Sequence, residues 1–591
     1  MSNKPSFFDE LKRRNVYKVA IAYAVVGWLV MQVAATVVPA LHLPDGITTA
    51  VVAMTLLGFP IALVIAWAFE MTPEGMKRTE NVSPDEVIPQ WSARKFAAMI
   101  VSIALLAAAL LVFQIVRSKS TSPAQLSPES TPAADDESIA VLPFVNMSSD
   151  KEQDYFSDGL SEELLNQLAQ IPQLRVIART SSFSFKGKEV DIATIAKALN
   201  VANVLEGSVR KSGNTLRITA QLVRASDSSH LWSQAYDRQL TDVFKVQDEI
   251  AGDVVAALKV KLLPTQQLPK GQRTRNVDAY EQYLLGMEMG RVNKLDSVQR
   301  SVAALQKAIA LDPQYANAYA ALAYSQRELA ENVSSPAQRS EIYKQAFASV
   351  EKAIALAPDM ARGYGIRAYL RYRYSWDWAG AEADYERAIA LDPRDAVLLS
   401  GVTGYAHFLF WNGRQAQALA LDVQAIALDP LSAEPLTAYG LHLLASGQTA
   451  EGRQALQHAL ELDPNLDFAN YNLGYSDLKE GKLDSALAHF RVSGDGFSQA
   501  GRAMVEFTLG NDVASQQAVT ELKRDFVAGY AYQFAQVYAW RGEKDQAFEW
   551  LDRAYVQHDA GMTTLRYDPM LASLHDDPRF AALVKKMGFA K

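Results

Sequence analysis

Ala308-Ile309-Ala310-Leu311-Asp312-Pro313 returns as Ala353-Ile-Ala-Leu-Ala-Pro358, Ala388-Ile-Ala-Leu-Asp-Pro393, Ala425-Ile-Ala-Leu-Asp-Pro430 and Ala459-Leu-Glu-Leu-Asp-Pro464. After a longer first interval the copies recur near a ~34-residue period, the spacing of stacked helix pairs. No such unit buries its apolar face alone, so the stack itself is the core. In the clearest unit Leu473 and Gly474 lie on the first helix, where glycine lets the second helix approach. Ala486 and Phe490 supply a small residue and a filler on that second helix. Gly440, Ala459 and Pro464 hold the equivalent places one unit earlier, with Pro464 ending the helix and turning the chain. Tyr538, Ala547, Leu551 and Ala554 mark a later unit.

This is the pattern of a tetratricopeptide (TPR) superhelix, expected over 277–591 with a C-terminal cap. It predicts six or seven units between Val277 and Tyr555, with Glu331 to Arg339 as an inserted loop between helices. A TPR groove is lined by first-helix side chains. Projection of the pattern places Arg373, Tyr374, His407, Phe410, Trp411, Tyr471 and Tyr475 near it. Aromatic residues and arginine anchor interfaces well, so the expected partners are proteins or peptides. Packing between units is the competing role for each of them. The lysine and asparagine set of a two-carboxylate clamp is absent from the projected groove.

Residues 138–263 read as a small α/β domain. Ile139-Ala-Val-Leu-Pro-Phe-Val145 is a short apolar run suited to a buried strand. Helical spacing follows at Leu160, Leu164, Leu165 and Leu168, then a strand at Leu174–Ile177 and a helix over Ile192–Leu199. Val201–Arg210 and Thr215–Arg224 flank the hairpin signal Ser212-Gly213-Asn214, and Val243–Leu262 closes the domain as a helix. Asp154, Asp158, Glu162 and Glu163 form an acidic cluster, assigned to helix-dipole and capping roles because no histidine lies nearby to complete a site.

Three uncharged runs precede this domain, at 19–41, 47–69 and 96–116. Each is long enough to cross ~30 Å of hydrocarbon as a helix. Lys4, Lys12, Arg13, Arg14 and Lys18 stand before the first; the connection from His42 to Gly46 has no lysine or arginine; the second connection carries Lys77, Arg78, Arg94 and Lys95. The positive-inside bias therefore puts a tail, 1–18, in the cytoplasm and everything after Val116 outside, which in a Gram-negative cell is the periplasm. The Ser-, Pro-, Thr- and Ala-rich stretch 118–137 reads as a disordered tether.

The chain has 591 residues, no cysteine and a formal net charge of -8. With no clustered basic face, nucleic-acid binding is not expected. Eight histidines are scattered without metal-ligand spacing, and neither a phosphate loop nor a nucleophile elbow occurs. No catalytic constellation, cofactor or metal is expected. The sequence leaves the oligomeric state open.

Ile139-Ala-Val-Leu-Pro-Phe144, Phe156-Ser-Asp-Gly-Leu-Ser-Glu-Glu-Leu164 and Val204-Leu-Glu-Gly-Ser-Val-Arg210 resemble the TolB-amino-terminal-like (FlgO-like) domain, as do Leu231-Trp232-Ser233 and Tyr236-Asp237-Arg238. The resemblance implies protein contacts outside the cytoplasmic membrane rather than catalysis. Phe7 to Val16 and Trp67 to Gly75 resemble the paired-helix anchor that precedes such domains in many proteobacterial proteins. Tyr374-Ser-Trp-Asp-Trp-Ala-Gly-Ala-Glu382, Arg566 to Leu571 and Asp577-Pro578-Arg579-Phe580 resemble TPR regions of bacterial regulators headed by a nucleotide-cyclase or winged-helix domain. The expected 18-residue tail has no room for either domain.

The sequence reading is therefore multidomain: N-terminal transmembrane helices, a small α/β domain and an all-α TPR solenoid. The leading function is a membrane-anchored, periplasm-facing scaffold. A sensor signalling to a cytoplasmic partner ranks second, and an enzyme with a cryptic site in the α/β domain, tested by changing Asp158 or Glu162, ranks third. Alkaline phosphatase fused after Pro123 or after Lys591 is expected to be active; fluorescence from a fluorescent protein fused at both points would overturn the orientation.

Overall fold

The computed structural model describes residues 136–258 and 274–589, except positions 293, 334 and 528. It also describes the strands Phe69–Thr72 (β1) and Gly75–Arg78 (β2) and a few positions between 23 and 59. The chain divides into two compact units, Met1–Ser130 and Thr131–Lys591. In the first unit the Tyr23 hydroxyl donates to the Thr55 carbonyl at 3.0 Å, and the Tyr23 and Phe59 rings lie 5.6 Å apart. β1 and β2 pair antiparallel, Phe69 opposite Arg78. Phe69, read as the last residue of the second apolar run, is thus extended rather than helical, held by that ladder. Among the described residues no helix is long and apolar enough to cross a membrane. The runs 19–41, 47–69 and 96–116 lie almost wholly outside the described residues, as does the tether but for Asp136 and Glu137. Those two belong to the folded domain: the Asp136 carbonyl accepts from Asn203 Nδ2 at 2.8 Å and the Glu137 carbonyl from Arg175 N at 2.9 Å.

In the second unit a six-stranded mixed sheet runs in the order β5-β3-β6-β7-β8, with β4 pairing beside β6. Its strands are β3 (Ser138–Val141), β4 (Val145–Asn146), β5 (Arg175–Val176), β6 (Asn203–Ser212), β7 (Thr215–Arg224) and β8 (His230–Gln239). β3 is parallel to β5 and β6, and β6-β7-β8 form an antiparallel meander. Side chains alternate across a strand. Ile139 and Val141 accordingly join one core and Ala140 and Leu142 another. Helices Asp154–Ala169 and Val243–Ala257 cover the first face and Ile192–Leu199 the second. A central strand covered on both faces reads as a continuous apolar run. Pro143 interrupts that run, so the expected single strand becomes two, β3 and β4. Gly213, at φ 56°, turns β6 into β7. Two elements escape the sequence reading: strand β8 and helix Arg179–Phe183. β8 alternates weakly because most of its residues face solvent.

Eight helix pairs follow among the described residues, from Val277 to Val556. Their ends explain the repeated hexapeptide. The helices stop at Leu311, Leu356, Leu391, Leu428 and Leu462, and the next residue leaves the helical region each time, with φ between -136° and -142°. Each of those residues precedes proline, whose ring disfavours the helical region for its predecessor. The pair at Asp495–Thr508 and Asp512–Phe526 lacks this ending and raises the count above the expected six or seven. Among the described residues of Glu331–Arg339, only Val333 and Ser335 lie outside the two helices, so the expected inserted loop is reduced to a short connection. The extra residues instead lengthen helices Ala316–Asn332 and Pro336–Leu356, because Ser335 caps and Pro336 starts the second one at once.

Glycine sets the spacing within pairs as expected. A Cβ on Gly440 would stand 2.7 Å from Leu456 Cγ, and one on Gly474 2.8 Å from Phe490 Cδ1. The α/β domain and the repeats share one core, in which Leu160 and Leu164 join Tyr280, Leu284 and Leu305 of the first pair. They are also pinned at the fourth repeat. Ser181 donates to Asp429 from its backbone N–H at 2.9 Å and its hydroxyl at 2.5 Å, and Arg394 donates to the carbonyls of Ile171, Pro172 and Leu174 at 2.7–2.9 Å.

Gly440→Val is expected to force these two helices apart and lower stability by roughly 1–3 kcal/mol. Urea unfolding followed by circular dichroism measures it, and an unchanged midpoint would contradict the close-approach role.

Candidate functional site

The solenoid does not end free. After helix Ala361–Leu370 the chain passes through a π-helical turn, Arg371–Ser375, and Trp376 in the left-handed region at φ 51°. This turn aims three side chains at the C-terminal end of the chain. Arg373 Nη1 donates to the Ala560 carbonyl at 2.8 Å and to Thr563 Oγ1 at 3.0 Å. Trp376 stacks on His558 with ring centroids 4.3 Å apart. Trp378 Nε1 donates to the Met587 carbonyl at 2.8 Å, and its ring lies 4.7 Å from Phe589. The two sequence marks quoted above, around Tyr374–Glu382 and in the C-terminal cap, therefore belong to one closure.

The superhelix and its cap together line a half-open cavity of about 1540 Å³. Of the seven residues projected onto the groove, Arg373, Tyr374, His407, Trp411, Tyr471 and Tyr475 line it. Phe410 does not: it is fully buried and stacks on His442 at 4.3 Å. Helix Tyr405–Trp411 is short, displaced by the turn through Gly401 at φ 86°, and this rotates Phe410 into the core. The projection missed Arg327, Arg339, Tyr343, Glu434 and Asp568, which also line the cavity. Arg339 and Tyr343 lie on second-helix sequence that only the closure and the lengthened helix Pro336–Leu356 bring to the wall.

The wall is aromatic and charged, with eight carboxylates, three arginines and one lysine among the described residues. Arg327 lies between the Tyr324 and Tyr369 rings, 4.5 and 4.7 Å from their centroids, and pairs with Glu328 and Glu331. Asp568 accepts from the Tyr532 hydroxyl at 2.8 Å, from Gln536 Nε2 at 2.7 Å and from Met570 N at 2.8 Å. Burial raises the pKa of Asp568 and likewise of Asp559. A buried chain of polar groups reaches the cavity from behind. Ser400 Oγ donates to Asp422 at 2.6 Å, Asp422 lies 2.7 Å from His442 Nδ1, and His442 Nε2 lies 3.4 Å from His407 Nδ1. Such a wall suits extended ligands with polar and aromatic groups.

The acids of helix Asp154–Ala169 serve structure in a way that dipole arguments miss. Only Asp154 is in the first turn. Asp158 accepts from Lys186 Nζ at 2.5 Å, and Glu162 pairs with Arg179 at 3.1 Å and with Arg291 of the first repeat. These ion pairs tie the α/β domain together and to the repeats.

Burial, then the neighbouring His442, then Arg373 hold the His407 pKa well below the usual 6.5. Folded His407 stays neutral while the unfolded residue takes up a proton, so its contribution is present above about pH 6.5 and is lost as pH falls below it. Wild type is expected to lose more stability than His407→Gln between neutral pH and pH 5; identical pH profiles by thermal unfolding would contradict this.

Residues 135–252 match the family described as HilA/YgeH-like transcriptional regulator, second domain. A protein of Rhizobium meliloti named putative adenylate cyclase 3 is 42% identical over 187 residues, which is 31% of this chain and 32% of that protein. The chain thus spans about a third of that relative's length. Among solved structures, pilF of Pseudomonas aeruginosa shows 18% identity over 36% of this chain and 96% of its own, with a TM-score of 0.28. PilW, described as a type IV pilus biogenesis factor, shows 19% identity over 35% and 96%, with a TM-score of 0.29.

Proposed function

We propose that this protein is a membrane-anchored scaffold whose closed TPR ring holds a peptide or protein segment, with the α/β domain fixed to its outside. The observation that carries the reading is the cavity, enclosed by repeat helices and by the cap bound through Arg373, Trp376 and Trp378. An interior of this size and aromatic content accommodates an extended chain better than a small metabolite. The apolar runs at 19–41, 47–69 and 96–116 supply the anchor, and the charge bias supports a periplasmic position for the ring. The α/β domain is proposed to be TolB-amino-terminal-like, a contact module rather than a catalytic one. A second reading, a regulator that passes binding to a cytoplasmic partner, is favoured by the likeness of 135–252 to a transcriptional-regulator domain.

Photo-crosslinking in native membranes tests the first reading. A benzophenone side chain at Tyr374 or Phe468, both on the cavity wall, is expected to capture a polypeptide that the same group at Val513, which is 85% exposed, does not. Capture only from Val513, or none from the cavity, would sink the scaffold reading. Asp158→Asn and Glu162→Gln are expected to leave capture in place, since their partners are structural ion pairs.

A further inference from the structure

One end of the cavity gathers two guanidiniums that no carboxylate pairs. Arg373 donates only to neutral acceptors, Ala560 O and Thr563 Oγ1. Arg339 donates from Nη2 to the Val333 carbonyl at 3.1 Å, and its buried Nε has no hydrogen-bond partner. Among the described residues neither forms a salt bridge, whereas the third arginine of the wall, Arg327, has two carboxylate partners. The two side chains belong to one place. Their chain neighbours Ser340 and Tyr374 hydrogen-bond through their hydroxyls at 2.7 Å, and Tyr343 stacks on Tyr374 with centroids 4.6 Å apart. Two acids act on the pair: Glu331, which acts on Arg373, accepts from the Tyr369 hydroxyl at 2.8 Å and pairs with Arg327, and Asp559, which both guanidiniums act on, is turned away to the backbone N–H groups of Tyr532 and Gly561. The raised pKa of Asp559 further weakens its compensation of the two cations.

A guanidinium N–H that is buried without an acceptor, as Arg339 Nε is, gains a partner when an anion binds beside it. The planar guanidinium fork matches a carboxylate. We propose that Arg339 and Arg373 form an anion subsite that receives one carboxylate of the bound peptide, beside the Tyr343–Tyr374 stack. This deepens the peptide-scaffold reading and rests on it. The subsite takes a single acid rather than an acidic tract, because the wall elsewhere carries Glu434, Glu480 and Asp525. Glu434 forms no hydrogen bond or salt bridge among the described residues and burial raises its pKa, so it offers an acceptor to a basic or amide group rather than a second place for an acid.

The test is affinity selection of short random peptides on the full-length protein in detergent, with free or amidated C-termini, read by mass spectrometry. Wild type is expected to enrich peptides with one acidic residue, or with a free C-terminal carboxylate, by at least about tenfold over neutral ones. Persistence on amidation identifies a side-chain carboxylate as the source, and loss on amidation identifies the C-terminus; either outcome supports the subsite. Arg339→Gln is expected to remove the acid preference while still selecting peptides. It does not touch the ring closure, so it carries the test even where Arg373→Lys loosens the cap. Selected peptides without acid preference, or a preference unchanged in Arg339→Gln, overturn the subsite and leave the scaffold reading standing. If no peptide is selected by wild type, the scaffold reading falls and the subsite with it.

Discussion

The grip of the segment Arg371–Trp378 on the C-terminal cap turns an open spiral of helix pairs into an enclosure. Three different interactions carry it: guanidinium to carbonyl, indole stacked on imidazole, and indole N–H to carbonyl. They join residues 182 to 209 positions apart in the chain. A solenoid otherwise contacts only its neighbours. The π-helical turn makes the long-range contact geometrically available by rotating Arg373, Trp376 and Trp378 off the register that continued α-helix would impose. The buried charges of the wall, Arg327, Asp559 and Asp568, are withdrawn from water and interact more strongly than on an open groove.

A second junction fixes the α/β domain to the same body. Asp429 belongs to the repeated hexapeptide, yet its carboxylate accepts from Ser181 of the sheet domain. Arg394 follows the hexapeptide of the preceding unit and gathers carbonyls from the end of helix Asp154–Ala169 and the turn beyond it. The core of the sheet runs without a break into the first helix pair, where Leu284 packs so closely that a side chain at Gly159 would collide with it. The two folded parts are therefore joined through one core and a second polar junction.

Much of the charge in that body is structural. Asp158 and Glu162 are spent on ion pairs, and the Asp422–His442–His407 chain stiffens the wall from behind. At the cavity surface Arg339, Arg373 and Glu434 form no salt bridge among the described residues.

The sequence by itself determined the repeats, their helix ends and the order of most elements in the sheet domain. Those features follow from local rules: proline forcing its predecessor into extended backbone, glycine permitting close approach, and alternation along half-buried strands. Arg373, Tyr374, His407, Trp411, Tyr471 and Tyr475, projected from the first helices, line the cavity, and Phe410 does not. Tertiary structure alone decided the rest. Phe410 left the groove because Gly401 breaks its helix, the residues on either side of Ser335 extend two helices because Ser335 and Pro336 restart the chain at once, and β8 was hidden by its exposure. Arg339, Tyr343 and the closure contacts became a site only through partners distant in the chain. Such contacts leave no periodicity, since they depend on how accumulated rotation along the stack brings its two ends together.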